Sequence, residues 1–91
     1  MLSELLNQLY IMASENAARY DELKTSIRKI TPDAEKLIQI IENESDDIER
    51  RIAFLETTIE ELLAGADYSK CETINDIADV YAASIIRRAG L

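Results

Sequence analysis

Apolar residues recur at alternating spacings of four and three along most of this 91-residue chain, and that heptad pattern limits the folds it can adopt. A heptad spacing keeps one face of a helix turned toward a partner helix. The first series is Leu2, Leu6, Leu9, Ala13, Asn16, Tyr20, Leu23, Ile27 and Ile30. The second is Ala34, Ile38, Ile41, Ser45, Ile48, Ile52, Leu55, Ile59 and Leu62. The pattern predicts two long helices, over residues 3–30 and 32–64.

The segment Thr31-Pro32-Asp33 separates the two series, and it contains the only proline of the chain. Thr31 is a good N-cap, and Pro32 fits the first position of the second helix, where an N–H is not needed. Because proline also keeps the preceding residue out of the helical region, the first helix must stop or kink here. We therefore predict an antiparallel helical hairpin with its turn at residues 31–33. One long kinked helix is the alternative.

A hairpin pairs the two series in layers. The expected layers include Leu23 with Ile41, Leu9 with Leu55, and Leu2 with Leu62. The polar members Asn16 and Ser45 fall one layer apart, with Tyr20 opposite Ser45. We interpret these three residues as a polar seam layer that sets the register of the helices.

A third helix is predicted over residues 70–89. Gly65 is a typical residue to follow the end of a helix, and Ser69 with Glu72 matches a capping box, with Thr73 as an alternative cap. The predicted fold is therefore all-α, in one domain over residues 1–91: a long antiparallel coiled-coil-like hairpin plus a shorter third helix, completed as a bundle by oligomerisation.

Apolar residues outside the seams predict where copies would meet. We expect the third helix to cover the open end of the hairpin, away from Pro32, and some apolar surface to remain. A small elongated domain has a limited core, and association is a common remedy. This predicts a homo-oligomer, with a dimer favoured. The expected interface residues are Leu5, Tyr10, Met12, Phe54, Leu63, Val80, Tyr81, Ile85 and Ile86.

The net charge of −8 is concentrated in residues 33–64, which hold ten acidic and three basic residues. The densest acidic cluster is Glu42, Glu44, Asp46, Asp47 and Glu49. A divalent-cation site and mimicry of a nucleic-acid backbone are alternatives, but a solvated helix face is the interpretation we favour. The basic groups are too few to predict direct binding of nucleic acid.

Catalytic groups are scarce in this composition. The chain has no histidine and a single cysteine, Cys71, so no imidazole is available to activate its thiol. We predict no catalytic residues, no cofactor and no metal site. One cysteine and no long apolar run suit a reducing compartment without a membrane span, so a cytoplasmic location is expected.

The sequence therefore favours a non-enzymatic, self-associating helical protein that acts as an assembly, scaffold or adaptor subunit. The alternative is a chaperone-like or regulatory binder that holds an amphipathic helix of a partner protein. No feature of the sequence identifies the biological process.

Overall fold

The computed structural model describes residues 2–90, and every regular element in that range is an α-helix. The helices are α1 (Leu2–Ile30), α2 (Ala34–Glu44), α3 (Ile48–Leu63) and α4 (Ile74–Arg88). The all-α class is confirmed, and α1 matches the first predicted helix closely. With 29 residues, α1 is roughly 43 Å long at ~1.5 Å per residue and is the longest element of the fold.

The chain reverses at Thr31–Asp33, as the proline predicts. The Thr31 N–H closes the last turn of α1 by donating to the Ile27 carbonyl at 3.1 Å, and the Thr31 hydroxyl accepts from the Asp33 N–H at 3.2 Å. Pro32 is exposed in the turn, and α2 begins at Ala34, two residues later than expected. From there α2 runs back along α1, since Arg28 pairs with Glu35 near the turn and Tyr20 reaches Glu42 further away.

The predicted continuous helix over residues 32–64 is wrong, because the chain breaks into α2 and α3 at Ser45–Asp47. Ser45 and Asp47 have extended backbone conformations, and the Asp47 side chain caps α3 by accepting from the Glu49 N–H at 3.0 Å. Arg51 donates to the Glu42 carbonyl at 3.1 Å and to the Ser45 carbonyl. Both new helix ends thus have hydrogen-bond partners, which stabilises the break.

Because of this break, the hairpin does not extend along the whole of α1. The most extensive helix packing joins α1 and α3, yet Leu55 is fully buried while Leu9 is 54% exposed and Leu2 is 70% exposed. The expected layers of Leu9 with Leu55 and Leu2 with Leu62 therefore do not form. The core is built instead around the C-terminal half of α1.

A ten-residue connection leads from α3 to α4 along the side of α2. Lys36 donates to the Ser69 carbonyl at 3.1 Å and pairs with Glu72 at 3.2 Å, and Glu44 accepts from the Ile74 N–H. The alternative cap is the one used: Thr73 forms a capping box with Asp76, so α4 begins at Ile74 instead of residue 70.

Helix α4 packs on α3 and α2 and does not touch α1 within residues 2–90. The expectation that the third helix covers the open end of the hairpin is therefore wrong. The connection along α2 explains this, because it starts α4 beside Glu44 instead of beside the N-terminal half of α1. The hydrophobic core consists of Tyr20, Ile27, Ala34, Leu37, Ile38, Ile40, Ile41, Ile52, Leu55, Tyr68, Cys71 and Ile77.

Candidate interaction surfaces

The first surface is the N-terminal half of α1, residues 2–15, here called the arm. Every residue of the arm is exposed, although the segment is helical throughout. Contiguous apolar surface of this kind on a small domain marks an interaction site. The large apolar side chains on the arm are Leu2, Leu5, Leu6, Leu9, Tyr10, Ile11 and Met12, each more than half exposed.

Most of these side chains share one face of the helix. Leu2, Leu5, Leu9 and Met12 follow the alternating spacing of three and four that a helix pairing seam requires. Leu6 and Ala13 widen this stripe on one side, whereas Asn7 and Ser14 lie on the opposite face. Ile11 lies near that opposite face and Tyr10 lies between the two.

The arm also differs from the rest of the chain in charge. Glu4 is the only charged residue between positions 2 and 14, so the remaining residues hold seven of the eight net negative charges. A second copy of this acidic chain would meet the least repulsion at the arm.

The second surface is a groove between α3 and α4, with a volume of about 260 Å³. Phe54 is half-buried beside it and Tyr81 is 38% exposed at its edge. The groove accommodates one or two large side chains, and we call it the α3–α4 groove. It is lined by Arg50, Ala53, Phe54, Thr57, Thr58, Ile77, Ala78 and Tyr81.

The nine interface residues expected from the sequence fall in three places. Leu5, Tyr10 and Met12 are on the arm, and Phe54 and Tyr81 line the α3–α4 groove. Of the others, Leu63, Ile85 and Ile86 are exposed toward the ends of α3 and α4, and Val80, in the middle of α4, packs against the core. Because α1 and α4 do not touch within residues 2–90, these residues form no single surface in one copy of the chain.

Two residues of the expected polar seam layer, Tyr20 and Ser45, hydrogen-bond to residues outside it. Tyr20 is buried, and its hydroxyl donates to Glu42 at 3.0 Å. Burial, followed by that carboxylate, raises the pKa of the Tyr20 hydroxyl. Ser45 is also buried but donates to the Asp47 carbonyl at 3.5 Å, and Asn16 is half-buried. Tyr20 thus contacts Glu42 near the end of α2, and Ser45 contacts Asp47 at the start of α3. The two side chains do not hydrogen-bond to each other.

A buried polar cluster that no sequence pattern predicts lies where the end of α4 meets α3. The Glu61 carboxylate is 1% exposed, accepts from the Ser84 hydroxyl and pairs with Arg88 at 2.6 Å. The nearby Tyr68 hydroxyl is buried without a hydrogen-bond partner in residues 2–90, and burial followed by Glu61 raises its pKa to about 12. Since Glu61 is bound on both sides, we interpret the cluster as a fastening of α4 onto α3.

The acidic cluster predicted as a solvated face is partly structural. Glu42 accepts a hydrogen bond from Tyr20, and Glu44 accepts one from the N–H of Ile74, the first residue of α4. Asp47 caps α3, while Asp46 and Glu49 are exposed. Within residues 2–90 no three acidic or sulfur ligands are grouped to hold a metal ion.

Cys71 is buried, and the low polarity around it raises the pKa of its thiol. A raised pKa leaves less thiolate at neutral pH, which is the reverse of what a nucleophilic cysteine requires.

Comparison of the chain with protein-family models, with curated proteins and with solved structures finds no significant match. Among the helices between residues 2 and 90, none has both the length and the hydrophobicity needed to cross a bilayer. The assignment of a function therefore depends on the surfaces described above.

Proposed function

We propose that this protein is a non-enzymatic assembly subunit that associates with further copies of itself through the arm. The observation that supports this is the helical order of the arm combined with its exposure: residues 2–15 present an apolar stripe that no other part of residues 2–90 covers. An ordered helix loses less conformational freedom on binding than a flexible segment would.

The apolar area of the arm suits reversible association. The four side chains of the stripe and Leu6 on its flank offer on the order of 500 Å² to a partner, somewhat less than the ~800 Å² per partner of a standard interface. The assembly would thus respond to protein concentration. With the arm occupied, the α3–α4 groove stays free, so an assembled subunit can also act as an adaptor for another protein.

The test compares two double variants that add the same charge to opposite faces of the arm. Leu5→Glu with Leu9→Glu places two carboxylates on the apolar stripe, and Asn7→Glu with Ser14→Glu places two on the polar face. We expect the natural chain and the polar-face variant to gain mass with concentration, measured by light scattering after size exclusion. The apolar-stripe variant should stay monomeric with unchanged helical content.

A natural chain that stays monomeric at high concentration would contradict self-association. If the apolar-stripe variant associates as readily as the natural chain, the contact lies elsewhere on the molecule.

The α3–α4 groove favours a second candidate function, the holding of a partner's amphipathic helix. Phe54, Ile77 and Tyr81 provide an apolar lining that could receive one or two anchor side chains of that helix. Ala78→Trp would fill the groove without adding charge. If a labelled peptide of residues 2–18 of this chain binds the natural protein, and Ala78→Trp abolishes that binding while Leu5→Glu with Leu9→Glu does not, the groove is the binding surface.

A further inference from the structure

We propose that two copies pair through their arms in antiparallel orientation, with Leu2 against Met12 of the partner subunit and Leu5 against Leu9 of the partner subunit. The proposal rests on self-association through the arm and adds the orientation and the register. We call residues 16–90 of each copy the body. In the proposed dimer the two acidic bodies lie at opposite ends of an elongated particle.

The register follows from the spacing of the stripe. Leu2, Leu5, Leu9 and Met12 are symmetric about position 7, so reversing one arm places each of the four beside another of the four. Leu6 then meets Leu6 of the partner subunit on one flank of the stripe. A two-fold interface needs this self-complementarity, in which residue i contacts j and j contacts i.

The charge distribution separates the two possible orientations. A parallel pair would place the two bodies side by side, and residues 15–91 of each carry a net charge of −7. It would also set Glu15, Asp21 and Glu22 near their counterparts. Antiparallel pairing separates the bodies by more than the ~8 Å over which physiological salt screens charge, and it leaves only the weakly charged arms in contact.

The body also limits what a parallel pair could gain. At the spacing of the stripe, a parallel seam would continue from Met12 to Asn16 and Arg19, but Asn16 is half-buried in its own chain and Arg19 pairs with Glu56. Parallel pairing therefore adds no apolar layer beyond Met12. Antiparallel pairing uses the whole exposed part of the stripe and ends where the body begins.

Cysteine cross-linking distinguishes the orientations. In a Cys71→Ala background, Leu5→Cys and Leu9→Cys chains are oxidised separately and as a mixture. The antiparallel register brings position 5 beside position 9, so the mixture should give the disulfide-linked heterodimer in large excess over either chain alone. A parallel pair would link each variant to itself.

Small-angle scattering of the natural dimer gives an independent measurement. One chain extends over 51 Å, so an antiparallel dimer overlapping by three turns should have a maximum dimension of about 85 Å, whereas a parallel dimer should stay near the length of one chain.

The outcomes separate this proposal from the proposed function. A natural chain that stays monomeric overturns both. A dimer in which each variant links to itself leaves self-association intact and overturns the antiparallel pairing. A dimer that gives no disulfide in any sample also overturns it, and would place the arm on another surface such as the α3–α4 groove.

Discussion

The two halves of α1 carry the same heptad seam, but they have opposite environments. Ile27 is fully buried in the C-terminal half, while Leu9 is 54% exposed in the arm. Nothing in the local spacing distinguishes them. The comparison shows that a heptad pattern predicts that a helix face will be covered without saying which partner covers it.

The difference arises from the length of α2. Its 11 residues reach back about 16 Å along α1 at ~1.5 Å per residue, which ends near Tyr20. The break at Ser45–Asp47 then returns α3 to the part of α1 that α2 already covers. The arm therefore lies outside the core for a geometric reason, although its residues are as apolar as those inside it.

The halves also differ in their polar contacts. In the C-terminal half, Arg19 pairs with Glu56 at 2.9 Å and Lys24 lies over the Tyr20 ring at 4.8 Å and near Glu42 at 3.8 Å. The pairs of Arg19 with Glu56 in α3 and of Lys24 with Glu42 in α2 fix the orientation of α1 in the body. A surface used for reversible association needs no such fixed pairs.

The largest expected effect contrasts Ile27→Ala with Leu9→Ala. Removing buried methyl groups leaves a cavity, so Ile27→Ala should lower the free energy of unfolding by about 2–5 kcal/mol. Leu9→Ala should change it by less than about 0.5 kcal/mol at concentrations where the chain is monomeric. Urea unfolding followed by circular dichroism measures both.

The same two variants should show the opposite order of effects on self-association. Leu9→Ala should weaken self-association seen by light scattering, and Ile27→Ala should leave it unchanged while the chain stays folded. If both variants lower the free energy of unfolding of the monomer equally, the arm packs against the body in solution. The two halves of α1 would then not differ in burial.

A smaller effect is expected for the two tyrosines of α1. Tyr20→Phe removes the hydrogen bond to Glu42 from a buried position and should lower the free energy of unfolding by about 1 kcal/mol. Tyr10→Phe is the matched control, because Tyr10 is 75% exposed on the arm and should show almost no change.

Thermal unfolding at low protein concentration measures both variants. Equal melting temperatures for Tyr20→Phe and the natural chain would mean that the Tyr20 hydroxyl contributes nothing to the body, and that Glu42 is held by Lys24 alone.

The sequence predicted the elements that depend on local signals. The bounds of α1, the turn at Pro32 and the end of α3 before Gly65 follow from proline, glycine and periodicity, and Gly65 has the positive φ of +98° that glycine favours after a helix. Thr73 was among the expected caps of α4 and is the one used.

The α2–α3 break was missed although a local signal was present. Ser45, Asp46 and Asp47 are all residues that favour helix starts, but the heptad spacing runs through them unbroken and predicts one continuous helix. The clamp by Arg51 onto the end of α2 could not be read from the sequence, because an arginine two turns into an acidic segment equally suggests a surface ion pair.

The sequence predicts a set of interface residues, but it does not predict where those residues lie relative to one another in the fold. Leu5, Tyr10 and Met12 are exposed apolar positions, but their separation from Tyr81 and Ile85 depends on where α4 packs. That position follows from the connection along α2 and from the buried Glu61, Ser84 and Arg88, whose partners are distant in sequence.

The smallest expected effect on folding stability concerns the capping box of α4. This box is a fixed polar contact, and residues 2–15 of the arm have no contact of this kind. The Asp76 carboxylate accepts from the Glu72 N–H at 2.9 Å and from the Thr73 N–H at 3.1 Å, and these bonds lower its pKa. A lowered pKa in the folded chain means that the charged carboxylate stabilises the fold above its ordinary pKa of 3.8, and that this stabilisation disappears as the pH falls through the lower folded value.

Asp76→Asn should therefore be less stable than the natural chain at neutral pH, and the difference should shrink as the pH falls below about 4. Urea unfolding of both chains at a series of pH values measures that difference. Glu4→Gln removes the same charge from the arm, so it separates loss of the capping bonds from the change in net charge. No difference at neutral pH would show that the amide caps α4 as well as the carboxylate does, and a difference that stays constant down to acidic pH would show that the loss does not depend on the charge of Asp76.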